Sequence, residues 1–558
     1  MNPRHDPALA LRLAVELGSP VAAAHALVNR GVDSERAAQR FLAPDLEDMH
    51  DPDALLDLDR AMARIEHALL AGERILVHGD YDVDGITSTF LMYSVLRDLG
   101  GRVDYHIPHR TRDGYGLSET AIGEAQRRGC SLIVTVDCGI TAVAATQRAA
   151  ALGIDTVITD HHEPPAELPR AAAVVNPRRA GCPYPFKALA GVGVTFKLAQ
   201  ALLRGRGGLE RAREYLDVVA IGTIADVVPL TGENRVLAVH GLERMNRSPR
   251  PGLRALAEVA QLRGRITSRE VAYVLAPRIN AAGRMGNAEQ GLRLLLARDE
   301  SEARACAESL QEDNLLRRQK DEEVLADALQ RVEAEMDWPN CSSLVLWSDH
   351  WHPGVIGIVA SRLVERFRRP TVLIALHGDR GRGSGRSLPG LDLTAMLAHC
   401  DDLLEGWGGH ALAAGMSVRK DRLPELRARM EALVREHTPP GAFTQRLLVD
   451  AELPLGDCTF GTIDWLERLS PFGLDNSEPL FRADGLTVES SSAVGGGKHM
   501  RATLRDATGR VEAVGFGLGA LAAEFPRGAR CQAVFAPTRN EWQGESRVQL
   551  KLKGVRAG

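Results

Sequence analysis

The sequence predicts an α/β protein in three parts: a parallel-sheet domain, a second α/β domain joined to it by a long helix, and a small β-barrel after residue 446. Three observations carry this reading. Between about 51 and 230, short apolar runs alternate with segments of helical spacing, the pattern of a doubly wound sheet. From Ala303 to Met336 an Ala-, Glu-, Leu- and Arg-rich stretch meets almost no helix breaker before Trp338 and Pro339, so it reads as one connecting helix. Beyond residue 446 the segments LTVESSSAV, HMRATLRD, RVEAVGFG, CQAVFAPTR and SRVQLKLKGV alternate over short lengths, and five such strands suit an OB-fold.

In chain order, residues 1–50 form a helical lead-in that closes at Pro44, and 51–234 the first domain. Residues 235–340 are a helical linker, 341–440 the second α/β domain and 446–558 the barrel. In the first domain Ile75 to Val77 reads as a buried strand, followed by Ile86, Phe90, Leu91 and Val95 at helical spacing. Further strands are expected at Leu132–Val136 and Thr156–Thr159, with the apolar stretch Val218–Ile224 as a fourth candidate. The second domain opens with a strand at Leu344–Trp347, a helix from Val355 to Phe367 and a strand at Thr371–Ala375.

Chemistry concentrates where these strands end. VHGDYDVDGITS, residues 77–88, packs His78, Asp80, Asp82 and Asp84 into a single turn between strand and helix. Three carboxylates that close repel one another unless a cation or a proton compensates them, and hard oxygens with an imidazole suit Mg²⁺ or Mn²⁺. Asp137 ends the second strand, Asp160, His161 and His162 follow the third, and Asp226 follows the fourth apolar stretch. The C-terminal ends of parallel strands share one edge of a sheet, so these residues converge although they are far apart in sequence. A solvated turn or a helix cap explains any one of them alone, but not four acidic or imidazole positions together.

In the second domain, GRGSGRS (381–387) reads as a glycine-rich loop whose backbone approaches an anion, with Arg382 and Arg386 able to grip a phosphate. GGHALAAG (408–415) follows and carries His410. In the barrel, Phe516, Phe535 and Trp542 are candidates for base stacking, and Lys498, His499 and Arg501 for backbone contacts.

Composition narrows the class. A formal charge of −5 over 558 residues gives no global basic signal for nucleic acid, so any such binding rests on local charge. The eight cysteines show no CxxC pair, which leaves a zinc site little support and fits reduced thiols. Without a membrane-length apolar run or a signal-peptide core, a cytoplasmic location is expected.

HGDYDVDG, VTVDCG, TDHHEPP and ADVVPL resemble the successive motifs of the DHH phosphoesterase family. With APRINAAGRMG (276–286), HPGVIGIVASRL (352–363), GRGSGRS and GGHALAAG in order, the chain is similar, within that family, to the RecJ family of bacterial single-strand-specific exonucleases. The resemblance implies a DHH-type sheet domain, a DHHA1-like second domain and an OB-fold. It also implies two divalent cations, Mn²⁺ or Mg²⁺. By that analogy His78, Asp82 and Asp137 hold one and Asp84, Asp137, His161 and Asp226 the other, with Asp137 bridging. His162 would orient or neutralise the scissile phosphate and Asp80 would orient a ligand. Arg278, Ser384 and Arg386 would bind a 5′-terminal phosphate, with His410 nearby.

The implied activity is metal-dependent 5′→3′ hydrolysis of single-stranded DNA to mononucleotides in repair and recombination, with no membrane role. A single-strand-binding protein and a helicase are implied partners. The alternative is a DHH phosphodiesterase acting on dinucleotides or very short RNA, which needs neither the barrel nor this length. A scaffold with a degraded metal site is disfavoured because each expected ligand position carries Asp or His. PFGLDNSEPLF (471–481) departs from the family pattern at Asp475, where glycine or glutamate is usual.

Overall fold

The structure, a computed structural model, describes residues 1–558 except 111, 115, 440 and 543, and not the side chain of Trp542. Its first sheet is wholly parallel. Strands β1 (Arg74–Gly79), β2 (Arg102–His106), β3 (Leu132–Val136), β4 (Asp155–Thr159) and β5 (Ala173–Val175) lie in the order β2-β1-β3-β4-β5. Strands β1, β3 and β4 are apolar and buried on both faces, as a sheet covered by helices on each side requires. The order reverses between β1 and β3, where such sheets open a crevice for ligands. Register then does the rest: Gly79 pairs with Val136 and Val136 with Thr159, so Asp80, Asp137 and Asp160 leave neighbouring strands at the same level.

One expected strand is a helix. Val218–Ile224 lies inside the helix Leu216–Ala225, where every residue but Ala225 is buried, and Asp226 follows that helix rather than a strand. A helix enclosed on all sides shows no polar stripe, so its sequence reads like a buried strand.

The linker carries a π-turn at Val271–Leu275, the helix Ala276–Met285 and the long helix Glu300–Glu335. Beyond it the second sheet runs β6 (Leu344–Ser348), β7 (Thr371–His377), β8 (Arg380–Arg386), β9 (Leu404–His410) and β10 (Ala413–Arg419), in the order β6-β7-β8-β10-β9. GRGSGRS is therefore the central strand β8 rather than an anion-binding loop. A Cβ at Gly381 would sit 2.5 Å from Ile374, at Gly383 2.7 Å from Met416, and at Gly385 2.7 Å from Leu393. The glycines make room for the apolar core beneath the sheet, and alternation sends Arg382, Ser384 and Arg386 to the other face. A strand with three glycines and no β-branched residue has no strand signature to read.

Five strands, Phe481–Val494, His499–Arg505, Arg510–Gly515, Arg530–Trp542 and Glu545–Ala557, close into a barrel through pairing of the first with the fourth. The helices Pro7–Leu17, Val21–Asn29 and Glu35–Leu42 belong with it. Ala22, Ala26, Leu27, Val32 and Ala38 share one core with Phe481, Leu486, Leu504, Phe535 and Leu552. Arg30 pairs with buried Asp450, and Asn29 donates to the same carboxylate. A cut near residue 445 would thus strip three helices of their core, so the barrel's role is tested by substitution and not by truncation. Phe535, expected to stack on bases, is fully buried in this core, whereas Phe516 is 64% exposed.

Arg235 ties this unit to the first domain. It is 2% exposed and makes no ion pair among the described residues; its guanidinium donates to the carbonyls of Phe41, Leu469, Ser470 and Arg468 and lies 4.0 Å from the centre of the Phe41 ring. Burial, with help from the Arg30 charge, lowers its pKa to about 10. Asp475, in the adjoining turn, has φ 57°, a left-handed conformation that Asp tolerates better than most residues. All eight cysteines are buried and unpaired, and among the described residues no helix is long and apolar enough to cross a membrane.

Candidate active site

The acidic turn is held from three directions. Asp82 caps the helix Val83–Asp98 by accepting from Gly85 N at 3.1 Å, and Asp84 sits in its first turn. The Asp84 carboxylate also accepts from Gly191 N at 2.7 Å and Val192 N at 2.9 Å, at the start of the helix Gly191–Leu202, so two helix N-termini face one anionic cluster. Asn280, from the linker, accepts from Val83 N at 3.2 Å. Asp137 leaves β3 with φ 60°, and a Cβ on Gly191 would stand 2.3 Å from its Oδ1. Only glycine lets that helix approach so closely.

These elements bring together three groups whose donor atoms lie within 4.8 Å of one another: Asp80, Asp82 and Asp137; Asp84, His161 and Asp226; and Asp137, His161 and His162. His161 Nε2 is 3.2 Å from Asp137, 3.6 Å from Asp226 and 3.9 Å from Asp84. Asp137 stands between the first two groups. His78 is in none of them. Its Nδ1 lies 3.1 Å from His106 Nδ1 and its Nε2 3.2 Å from the Gly116 carbonyl, so both nitrogens are engaged away from the carboxylates, and Asp80 occupies the place expected for it.

The donor set fits a hard divalent cation. Buried and without a hydrogen-bond partner are Asp80 Oδ1, Asp137 Oδ1, Asp226 Oδ2 and both nitrogens of His161. Four of these, Asp80 Oδ1, Asp137 Oδ1, Asp226 Oδ2 and His161 Nε2, belong to the donor groups, and leaving them orphaned would be costly unless an ion satisfied them. Burial, then the charges of Asp82 and other neighbouring carboxylates, raises Asp80, Asp137 and Asp226 well above the usual range and brings Asp84 to about 7. Burial and the His162 charge bring His161 down to about 3, leaving its imidazole neutral and able to ligate.

A carboxyl raised on folding stabilises the metal-free fold below about pH 4, and that contribution is lost as pH rises through its folded value, about 7 for Asp84. A cation restores it by neutralising the carboxylates. Mn²⁺ should therefore raise the melting temperature more at about pH 8 than at about pH 5, and equal shifts at both would show that protons and metal do not compete here.

His162 is set apart by Asp160, a residue that the sequence reading brings to this edge without giving it a role. Asp160 is fully buried, accepts from His162 Nδ1 at 2.7 Å, and also accepts from the backbone of Ile140, His161 and His162. Burial lowers the His162 pKa, but the Asp160 hydrogen bond and the charges of Asp160, Asp84 and Asp82 outweigh it and the net shift is upward. His410, at the end of β9, stacks on His162 with ring centres 6.5 Å apart and planes 11° from parallel, so the second domain touches the site directly. The Asp of the DHH triplet was the available signal for Asp160.

Of the expected phosphate contacts, Ser384 and Arg386 are together: Arg386 Nη1 lies 3.0 Å from Ser384 Oγ. Arg278 is elsewhere. It is buried, donates to Val274 O and Gln311, and faces Arg317 and Arg318. Arg284, six residues along the same helix and hence on another face, is the one whose charge couples to those of Arg110, Arg317 and Arg386. Burial and those guanidinium charges bring Arg284 down to about 9. Arg110 itself lies 4.7 Å from the centre of the Tyr81 ring.

Comparison with known proteins agrees with this architecture. The chain matches the models "DHH family, N-terminal domain" over 74–223, "DHHA1 domain" over 340–436 and "RecJ OB domain" over 449–554. It is 39% identical to the single-stranded-DNA-specific exonuclease RecJ of Bacillus subtilis, over 94% of this chain and 67% of that one. To the Escherichia coli protein of the same name it is 36% identical, over 94% of each. The crystal structure of RecJ with Mn²⁺ from Thermus thermophilus superposes with a TM-score of 0.86 at 34% identity, over 99% of this chain and 78% of that one. A second, with Mg²⁺, gives 0.79 at 32%, over 99% and 77%.

Proposed function

The chain belongs to the RecJ family of single-stranded-DNA-specific exonucleases, and on that premise we propose that it shortens single strands from the 5′ end, releasing mononucleotides. It is a phosphodiesterase that works with Mn²⁺ or Mg²⁺. The observation that carries the reading is the focus of orphaned carboxylate and imidazole atoms at the sheet's switch point.

In this reading Asp80, Asp82 and Asp137 would hold one cation, and Asp84, Asp137, His161 and Asp226 the other. We leave His78 out of the ligand set because both its nitrogens are engaged. Bound cations supply the positive charge that makes a water nucleophilic at neutral pH and stabilises an in-line displacement at phosphorus. His162, kept protonated by Asp160, donates to the scissile phosphate and offsets charge that grows there. Ser384, Arg386, Arg284 and Arg110 hold the terminal 5′-phosphate, which fixes the cut at one nucleotide from the end.

Water adds to phosphorus and the bond to the 3′ oxygen breaks, so the 3′ hydroxyl leaves with the released nucleotide and the shortened strand keeps a 5′-phosphate. Each cut thus regenerates the group that the arginines recognise. We place the enzyme in the cytoplasm, in repair and recombination; eight buried, unpaired thiols suit a reducing compartment. There a helicase would supply its single strands and a single-strand-binding protein would keep them open.

The test compares 5′-phosphorylated and 5′-hydroxyl single strands, duplexes and dinucleotides, with and without Mn²⁺. Phosphorylated single strands should be degraded fastest; preference for dinucleotides would favour the short-substrate alternative. Arg386→Ala should lower kcat/KM on 5′-phosphate ends by about tenfold or more and less on 5′-hydroxyl ends, because a charge-assisted contact is lost only where phosphate is present. Equal loss on both would make Arg386 a general structural residue.

A further inference from the structure

Away from the carboxylates, a cavity of about 380 Å³ opens between the linker and the second domain, lined by Tyr273, Pro277, Arg317, Arg318, Ile358 and Arg362, with Asp321 and Glu322 at its side. Tyr273 is 73% exposed although Val271 and Leu275 beside it are fully buried. The sequence explains why. Pro277 has no N–H to give the Tyr273 carbonyl, and its ring crowds that carbonyl, so the helix cannot close as an α-turn there. The turn widens to a π-turn, in which Ala276 N bonds Val271 O, and Tyr273 projects from the bulge.

The opposite wall is cationic. Arg317 pairs with Asp321 at 2.5 Å but keeps a buried Nε with no hydrogen-bond partner. Arg318 and Arg362 make no ion pair or hydrogen bond among the described residues, against the single charge of Glu322. The chain of guanidiniums continues from here toward the phosphate corner: Arg278 feels Arg318 and Arg317, and Arg284 feels Arg317 and Arg386. Asp321 is the carboxylate within this row, reached by the charges of Arg317, Arg284 and Arg362, so the arginines outnumber it and the surplus positive charge favours an added anion.

An exposed ring over an apolar floor of Pro277 and Ile358, facing Arg318 and Arg362, which have no ion pair among the described residues, is the combination that binds a nucleotide without reading its identity. We propose that this cavity holds one nucleotide of the single strand away from the cut, its base stacked on Tyr273 and its backbone phosphate between Arg318 and Arg362. The proposal rests on the single-strand exonuclease reading and adds a second point of grip to the strand. Its ligand is sequence-independent, because each base offers a π-face.

The full-length Asp137→Asn protein, silent as a nuclease, is mixed with a 5′-phosphorylated oligothymidylate of about 12 nucleotides carrying 5-iodouracil at successive positions, and irradiated. A crosslink to Tyr273 is expected from one position. In the same background Tyr273→Ala should weaken binding about tenfold and Tyr273→Phe should not, since stacking needs the ring and not the hydroxyl. Arg318→Ala should lower the slope of log affinity against log salt by about 0.7, the value for one single-strand phosphate. Unchanged affinity in Tyr273→Ala, or crosslinks that map only elsewhere, overturns the site. If instead the wild-type enzyme fails to degrade the unsubstituted oligonucleotide, it is the exonuclease reading that falls.

Discussion

Asp137→Asn should lower kcat at saturating Mn²⁺ by at least about a thousandfold, about 4 kcal/mol of transition-state stabilisation, while the protein stays folded. Asp137 lies in two of the three donor groups, so its loss loosens both proposed cations at once. Asparagine is the variant of choice because φ is 60° here, and Asn adopts that conformation more readily than Ala does. Neutralising one member of a mutually repelling, buried set should also raise the melting temperature of the metal-free protein at alkaline pH, so activity and stability should move in opposite directions. Retention of more than about a tenth of the wild-type rate, a loss of only about 1.4 kcal/mol, would remove the bridging role.

Arg235→Met should cost at least about 3 kcal/mol of stability without touching any residue of the acidic site. The methionine fills similar apolar volume but leaves the carbonyls of Phe41, Arg468 and Ser470 without that donor, at about 1 to 3 kcal/mol each; Leu469 O keeps the amide of Asn476. The contact over the Phe41 ring is lost as well. The measurement is a thermal melt paired with limited proteolysis, and the new cleavage sites should fall near residues 41–44 and 468–471, where the guanidinium had joined two segments. A melting temperature within about 1 °C of wild type would mean that water replaces the arginine at no cost.

What was legible in the sequence was local. The acidic turn, Asp137 and the DHH triplet each follow a short apolar strand within a few residues, so strand, turn and ligand could be read together and the parallel sheet supplied their convergence. What was not legible depended on partners distant in the chain. Asp226 follows a helix whose enclosure by other elements erased its periodicity. The β8 glycines look like an anion loop until Ile374, Met416 and Leu393 are seen to fill the space they leave. His78 is a ligand by spacing and family resemblance, and nothing in its own motif shows that its Nδ1 lies 3.1 Å from His106 on β2. Arg278 and Arg284 lie on one short motif, and which of them meets Arg386 is decided by helix phase. The helices at 7–42 carry no sign in their own residues that their core is supplied by strands beyond 480.

That last arrangement sets an order of events during synthesis. The helix Glu35–Leu42 precedes the first barrel strand by roughly 440 residues. At about 5 to 20 residues added per second, its apolar face waits roughly 20 to 90 s for a surface to cover it, long after the parallel sheet has all its strands. Ala38, with Ala22, Ala26 and Leu27 of the helix before it, travels through that interval as a ready target for chaperones, and a ribosome stalled before residue 481 would hold them there.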